Sequence, residues 1–124
     1  MNYTISLDHI NKIVIYKHIG IVDSEDIGIA WAEILSLPEF SKMGYNLLSD
    51  YSDATLQFNI EKTKRIDEFL MSVKHIINNK RNAVVVKNPH CTAISFLYES
   101  KAWDMFNFKV KVFYTLESAY NYLK

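Results

Sequence analysis

Apolar and polar residues alternate at the start of the chain, where Tyr3, Ile5 and Leu7 are separated by polar positions, and Ile13, Val14, Ile15 and Tyr16 follow soon after. This period of two predicts the strands of a β-hairpin, joined through His9, Ile10 and Asn11. The spacing then becomes helical: Ile27, Ala30, Trp31, Ile34 and Leu35 stand at i, i+3, i+4, i+7 and i+8, behind a cap at Asp23 or Ser24. Pro38 should lie beyond the end of that helix. Tyr45, Leu47 and Leu48 predict a third strand, ending in a polar loop of Ser49, Asp50, Ser52 and Asp53. Ile66, Phe69, Leu70, Val73, Ile76 and Ile77 predict one long helix with an unbroken apolar stripe.

Ala83, Val84, Val85 and Val86 form a continuous apolar run, expected of a central strand buried on both faces. A third helix is predicted over residues 92–106, after Pro89; a fifth strand at Val110, Val112 and Phe113; and a last helix capped by Thr115. The order is ββαβαβαβα, with five strands and four helices. Because each strand after the hairpin returns through a helix, the class is α/β with a mixed, mostly parallel sheet and right-handed crossovers.

The 124 residues fit a single domain spanning 1–124, and 49% hydrophobic residues with three Gly and two Pro exclude disordered and low-complexity classes. Fourteen basic and fourteen acidic residues leave no net field toward nucleic acid, which is therefore not an expected partner. The charge is divided, however: residues 1–62 carry nine acids and four bases, and residues 63–124 five acids and ten bases, so opposite patches on two copies could meet. With neither a leader-like apolar run nor a membrane-span-length one, the expectation is a cytoplasmic protein without stable membrane insertion. One cysteine, Cys91, excludes an internal disulfide and a CxxC metal knuckle, and no cofactor is expected.

The order of elements, together with Ala30-Trp31-Ala32-Glu33-Ile34-Leu35, Pro38-Glu39-Phe40, Leu48-Ser49-Asp50, Val112-Phe113 and Glu117-Ser118-Ala119 with Tyr122-Leu123, resembles the SpoIIAA-like superfamily and its stand-alone STAS-like members. That resemblance implies the fold, and it implies binding of a partner or small apolar ligand rather than catalysis. Anti-sigma-factor antagonists of the superfamily are phosphorylated on a hydroxyl in an Asp-Ser-x-Gly type segment after the third strand. The corresponding stretch here, from Asp50 to Asn59, has neither the glycine nor the Asp-Ser pair. Ser52 and Thr55 are the hydroxyls available for such a switch, beside Asp50 and Asp53, which repel a phosphate.

Two segments carry other candidate chemistry. Ser49 to Asp53 groups oxygen ligands suited to a hydroxylated molecule, and equally suited to capping a turn. His90 and Cys91 lead into the third helix, where a helix N-terminus and an imidazolium would favour the thiolate, so a small enzyme using them, or the Ser49 to Asp53 carboxylates, is the alternative to a binding module. His9, His18 and His75 show no metal-ligand spacing, and Gly20, Gly28 and Gly44 stand too far apart for a phosphate loop. A receiver-like role for Asp50 lacks an acidic pair after the first strand and a lysine after the fifth.

The third helix offers a surface. At about 100° per residue, Ile94, Tyr98, Ala102 and Met105 share one face, with Leu97 and Phe106 at its edges and Phe96 and Trp103 opposite. If Ile94 faces the sheet, Phe96 and Trp103 form an exposed aromatic pair able to anchor a homodimer, a partner protein or an apolar ligand. If the helix is irregular near Lys101, both rings belong to the core.

Overall fold

A computed structural model of the chain describes residues 2–57 and 67–124. Its strands are β1 (Tyr3–Asp8), β2 (Ile13–Val22), β3 (Asn46–Leu56), β4 (Arg81–Val85) and β5 (Lys109–Phe113). Its helical segments are α1 (Ser24–Ser36), α2 (Pro38–Ser41), α3 (67–72), α4 (Lys74–Ile77), α5 (Pro89–Phe106) and α6 (Leu116–Leu123). The sheet order is β1-β2-β3-β4-β5, with β1 antiparallel to β2 and every other pair parallel. The mixed sheet and opening hairpin are those the sequence predicts.

The helices divide unequally between the faces. α1 and α5 cover one side, where Val14, Tyr16, Trp31, Ile34, Phe40, Leu47, Val84, Phe106 and Phe108 make the larger core. The eight-residue α6 covers the other, packing Ala119 and Leu123 on Ile13, Leu48, Ala83 and Val85. β4 is buried on both faces because it lies between β3 and β5 with a helix layer on each side. Caps start the helices where the sequence places them: Asp23 and Asp26 form a reciprocal capping box, and the Thr115 hydroxyl accepts the Ser118 N–H at 3.2 Å.

Several predicted boundaries shift. Among the described residues there are six helical segments rather than four, because Pro38 opens the one-turn α2 and the long helix is divided at Val73. Val73 has φ −119°, outside helical geometry, so the apolar stripe over Phe69, Leu70, Ile76 and Ile77 is carried by two pieces. Ile66, with which that stripe was expected to begin, lies outside the described residues. α5 starts at Pro89 instead of residue 92, since Asn88 is its cap and proline suits the first turn.

The largest correction concerns Ser49 to Asp53, which is not a loop. β3 runs through it to Leu56, paired with β2 along its length and with β4 from Leu47 to Asp50. The polar residues are tolerated because each has a partner inside the fold. Ser49 donates to Asn82 at 2.9 Å; Asp50 accepts from both the N–H and the hydroxyl of Ser52; and Asp53 pairs with Lys17 at 2.9 Å. The register slips beside Ser52, where Lys17 faces Asp50 but Ile19 faces Asp53. This bulge returns Ala54 and Leu56 to the face that already holds Tyr51.

Candidate functional site

A cavity of about 250 Å³ lies between the sheet and the helices α1, α3 and α5. Its walls are mainly apolar: Ile27 and Trp31 from α1, Phe69 and Leu70 from α3, Ile94 from α5, and Leu56 and Val84 from the sheet. Ser24, Glu25 and Gly28 complete the α1 side. No lysine, arginine or histidine lines it among the described residues. It is larger than the ~150 Å³ apolar cavity that accepts a benzene ring.

Ser49, Asn82 and Tyr98, one from each of β3, β4 and α5, form a connected polar group on its lining, which also includes Ser24, Glu25, Tyr51 and Ser95. The Ser49 hydroxyl donates to Asn82 Oδ1 at 2.9 Å, and Asn82 Nδ2 donates to the Tyr98 hydroxyl oxygen at 3.1 Å. Both the serine and the asparagine are buried, which in an apolar site requires such pairing. Burial holds the Tyr98 phenol above its ordinary pKa, so it stays protonated across the physiological range. Tyr51, also on the wall, is raised by burial in the same way. With its oxygen accepting from Asn82, Tyr98 has its phenolic hydrogen to give a ligand, and Ser49 has its lone pairs.

Of the Ser49 to Asp53 segment only Ser49 and Tyr51 line this cavity, and Asp50, Ser52, Asp53, Thr55, His90, Cys91, Phe96 and Trp103 do not. Asp50 is buried on the opposite sheet face, 3.9 Å from Lys17, since successive strand residues face opposite ways. Ser52 is half-buried with its hydroxyl on Asp50; Asp53 and Thr55 are exposed. Cys91 is fully buried and its thiol lies against the Ala54 carbonyl at 3.5 Å, whereas His90 is exposed, so the structure does not assemble them as a pair. The Asn88 side chain fixes this corner, accepting from the Cys91 N–H at 2.7 Å and donating to the Ala54 carbonyl at 3.2 Å. His18 is buried against the Tyr16 hydroxyl, His9 meets the Tyr45 hydroxyl at 2.8 Å, and no group of metal ligands occurs among the described residues.

The core face of α5 follows the helical-wheel reading at Ile94, Tyr98, Ala102 and Phe106, which are buried in or packed on the core, and departs from it at Leu97 and Met105. Cys91, Ser95, Ala102 and Phe106 are its buried residues, while Met105 is 53% exposed. Cys91 and Ser95 join this buried face although small or polar residues carry little weight in a hydrophobicity pattern. Phe96 and Trp103 are exposed by 48% and 45%, as expected on the face away from the core. Trp103 is nevertheless tied down, its indole N–H donating to the Val110 carbonyl on β5 at 2.9 Å.

The sequence reading missed Asn82 and Tyr98 as site residues. An asparagine inside a β-branched strand is the signal that marks Asn82, because a buried amide demands partners.

No protein-family profile matches the chain, and no curated protein matches it. A solved structure does: a DUF3478-family protein from Shewanella loihica, described as uncharacterised and as having a SpoIIAA-like fold. The two are 12% identical and superpose with a TM-score of 0.67 over 99% of this chain and 94% of that one. Strand order, parallel crossovers and this superposition together show that the chain has the SpoIIAA-like fold.

Proposed function

We infer that the protein is a non-enzymatic binding module that takes a neutral, largely apolar small molecule bearing one hydroxyl or carbonyl group. The observation that carries this reading is the apolar cavity with the Ser49–Asn82–Tyr98 network on its wall. Such a site, apolar with a few convergent polar groups, is the usual form of a small-molecule pocket. A carboxylate or phosphate fits poorly, since Glu25 is on the wall and no cationic side chain is among the described lining residues.

The test is native mass spectrometry of the protein from its own cells, together with titration of 2-naphthol as a neutral hydroxylated probe. Saturable probe binding, lost on filling the cavity with Val84→Phe, is the expected result. A protein that carries no adduct and shows no saturable probe binding overturns the reading.

A further inference from the structure

The two outer strands of the sheet are treated differently. Hydrogen bonds from Lys109 N–H to the Lys80 carbonyl and from Val86 N–H to the Phe113 carbonyl show that the odd-numbered residues of β5 face β4. Val110 and Val112 therefore turn their backbone groups outward. Three of these four groups are covered among the described residues: the Val110 carbonyl accepts from Trp103, the Val112 N–H donates to the Glu99 carboxylate at 2.9 Å, and the Val110 N–H is also engaged. Val110 N–H is bonded to the Phe108 carbonyl at 2.9 Å. Lys109 and Lys111 add positive charge to the same strand. Covering and lysine are both devices that stop an edge from accepting another strand.

β1 has neither. The Ile19 N–H donates to the Asn2 carbonyl at 2.9 Å, and the β1–β2 register continues this pairing phase, so Thr4, Ser6 and Asp8 bond inward to β2. Tyr3, Ile5 and Leu7 then direct their N–H and C=O groups outward, and no hydrogen bond among the described residues occupies them. The strand holds no lysine, proline or bulge.

We propose that β1 is a homodimer interface, pairing antiparallel with β1 of a second copy about a two-fold axis at Ile5, to make a continuous ten-stranded sheet. The occupant follows from the strand's self-complementarity. Centring on Ile5 places Tyr3 opposite Leu7 and Ile5 opposite its equivalent, and these are the residues whose backbone groups point outward, so the hydrogen-bonding phase closes. Their half-buried side chains lie on the larger-core face and would form one apolar row across the axis. On the other face Thr4 meets Ser6, and no like charges oppose. This interface is separate from the cavity and does not depend on ligand binding.

Sedimentation velocity and hydrogen exchange test it. The wild-type chain should sediment at twice its 14.5 kDa, with the Tyr3, Ile5 and Leu7 amides gaining protection as concentration rises. Thr4 and Ser6 are exposed, so Thr4→Lys with Ser6→Lys should leave the fold intact and shift the protein to monomer by setting like charges across the axis. Thr4→Lys with Ser6→Glu sets opposite charges there and should retain the dimer. A monomeric wild type overturns the proposal, as does a dimer that survives the double-lysine variant.

Discussion

The Tyr98 hydroxyl on α5 accepts a hydrogen bond of 3.1 Å from the Asn82 amide on β4, joining helix to sheet across sixteen residues of sequence. Tyr98→Phe removes that acceptor and leaves a buried amide hydrogen without its partner, which costs about 1–3 kcal/mol. In chemical denaturation the midpoint should fall with the slope unchanged. The same variant should weaken binding of 2-naphthol, since the phenolic hydrogen is lost with the oxygen.

Cys91 and its surroundings predict a thiol of low reactivity. The sulfur is buried behind the Asn88 cap and faces the Ala54 carbonyl. A disulfide reagent such as DTNB should react with the native protein far more slowly than with a free thiol, and at the ordinary rate once the protein is denatured. Fast native labelling would restore Cys91 as a nucleophile candidate. Asn88→Ala should cost about 1 kcal/mol through loss of the cap and speed labelling by opening this corner.

Trp103 and Phe96 are exposed to a similar extent and should nonetheless respond differently to substitution. Trp103→Phe keeps an aromatic ring but leaves the Val110 carbonyl without its indole partner, for a loss of about 1 kcal/mol. Phe96→Ala removes a half-exposed ring that anchors no backbone group, and should fall within about 0.5 kcal/mol of wild type. Equal losses in thermal unfolding would show that the edge contact carries no stability.

Lys80 gives the protein a pH response in the alkaline range. Its ammonium is buried, donating to the Tyr45 carbonyl at 3.0 Å and standing 4.4 Å from the centre of the Phe40 ring, and burial pushes its pKa down to about 8. The unfolded chain holds that proton up to about pH 10.4. Between these values the unfolded state binds more protons, so stability should rise with pH, and the gain is lost as pH falls toward 8. Lys80→Met should remove this rise, as measured by urea unfolding at successive pH values.

His18 acts in the acid range in the same sense. Desolvation lowers its pKa, so the folded state favours the neutral ring. Its contribution is complete above the unfolded value of about 6.5 and declines as pH falls below it. His18→Gln should flatten the stability curve there, and an unchanged slope would place the acid sensitivity elsewhere.

Local features were legible in the sequence because local physics sets them. The hairpin follows from Tyr3, Ile5 and Leu7 alternating with polar residues, α1 from the spacing of Ile27 to Leu35, and its start from Asp23. Ser49 to Asp53 misled because Asp and Ser are turn formers on their own, and part of what holds them in an extended strand comes from neighbouring strands. Asn82 and Lys17 act in this way on Ser49 and Asp53 from strands distant in sequence, while Asp50 is satisfied by Ser52 beside the bulge.

Local periodicity was enough for the opening hairpin, α1, the strand–helix order and the α/β class, since these depend on interactions among residues close along the chain. Only packing brings Ser49, Asn82 and Tyr98 to one cavity wall, and sets Trp103 and Glu99 over β5 while β1 stays uncovered among the described residues. Such juxtapositions join elements tens of residues apart, and the direction of each backbone group is fixed only once register is set.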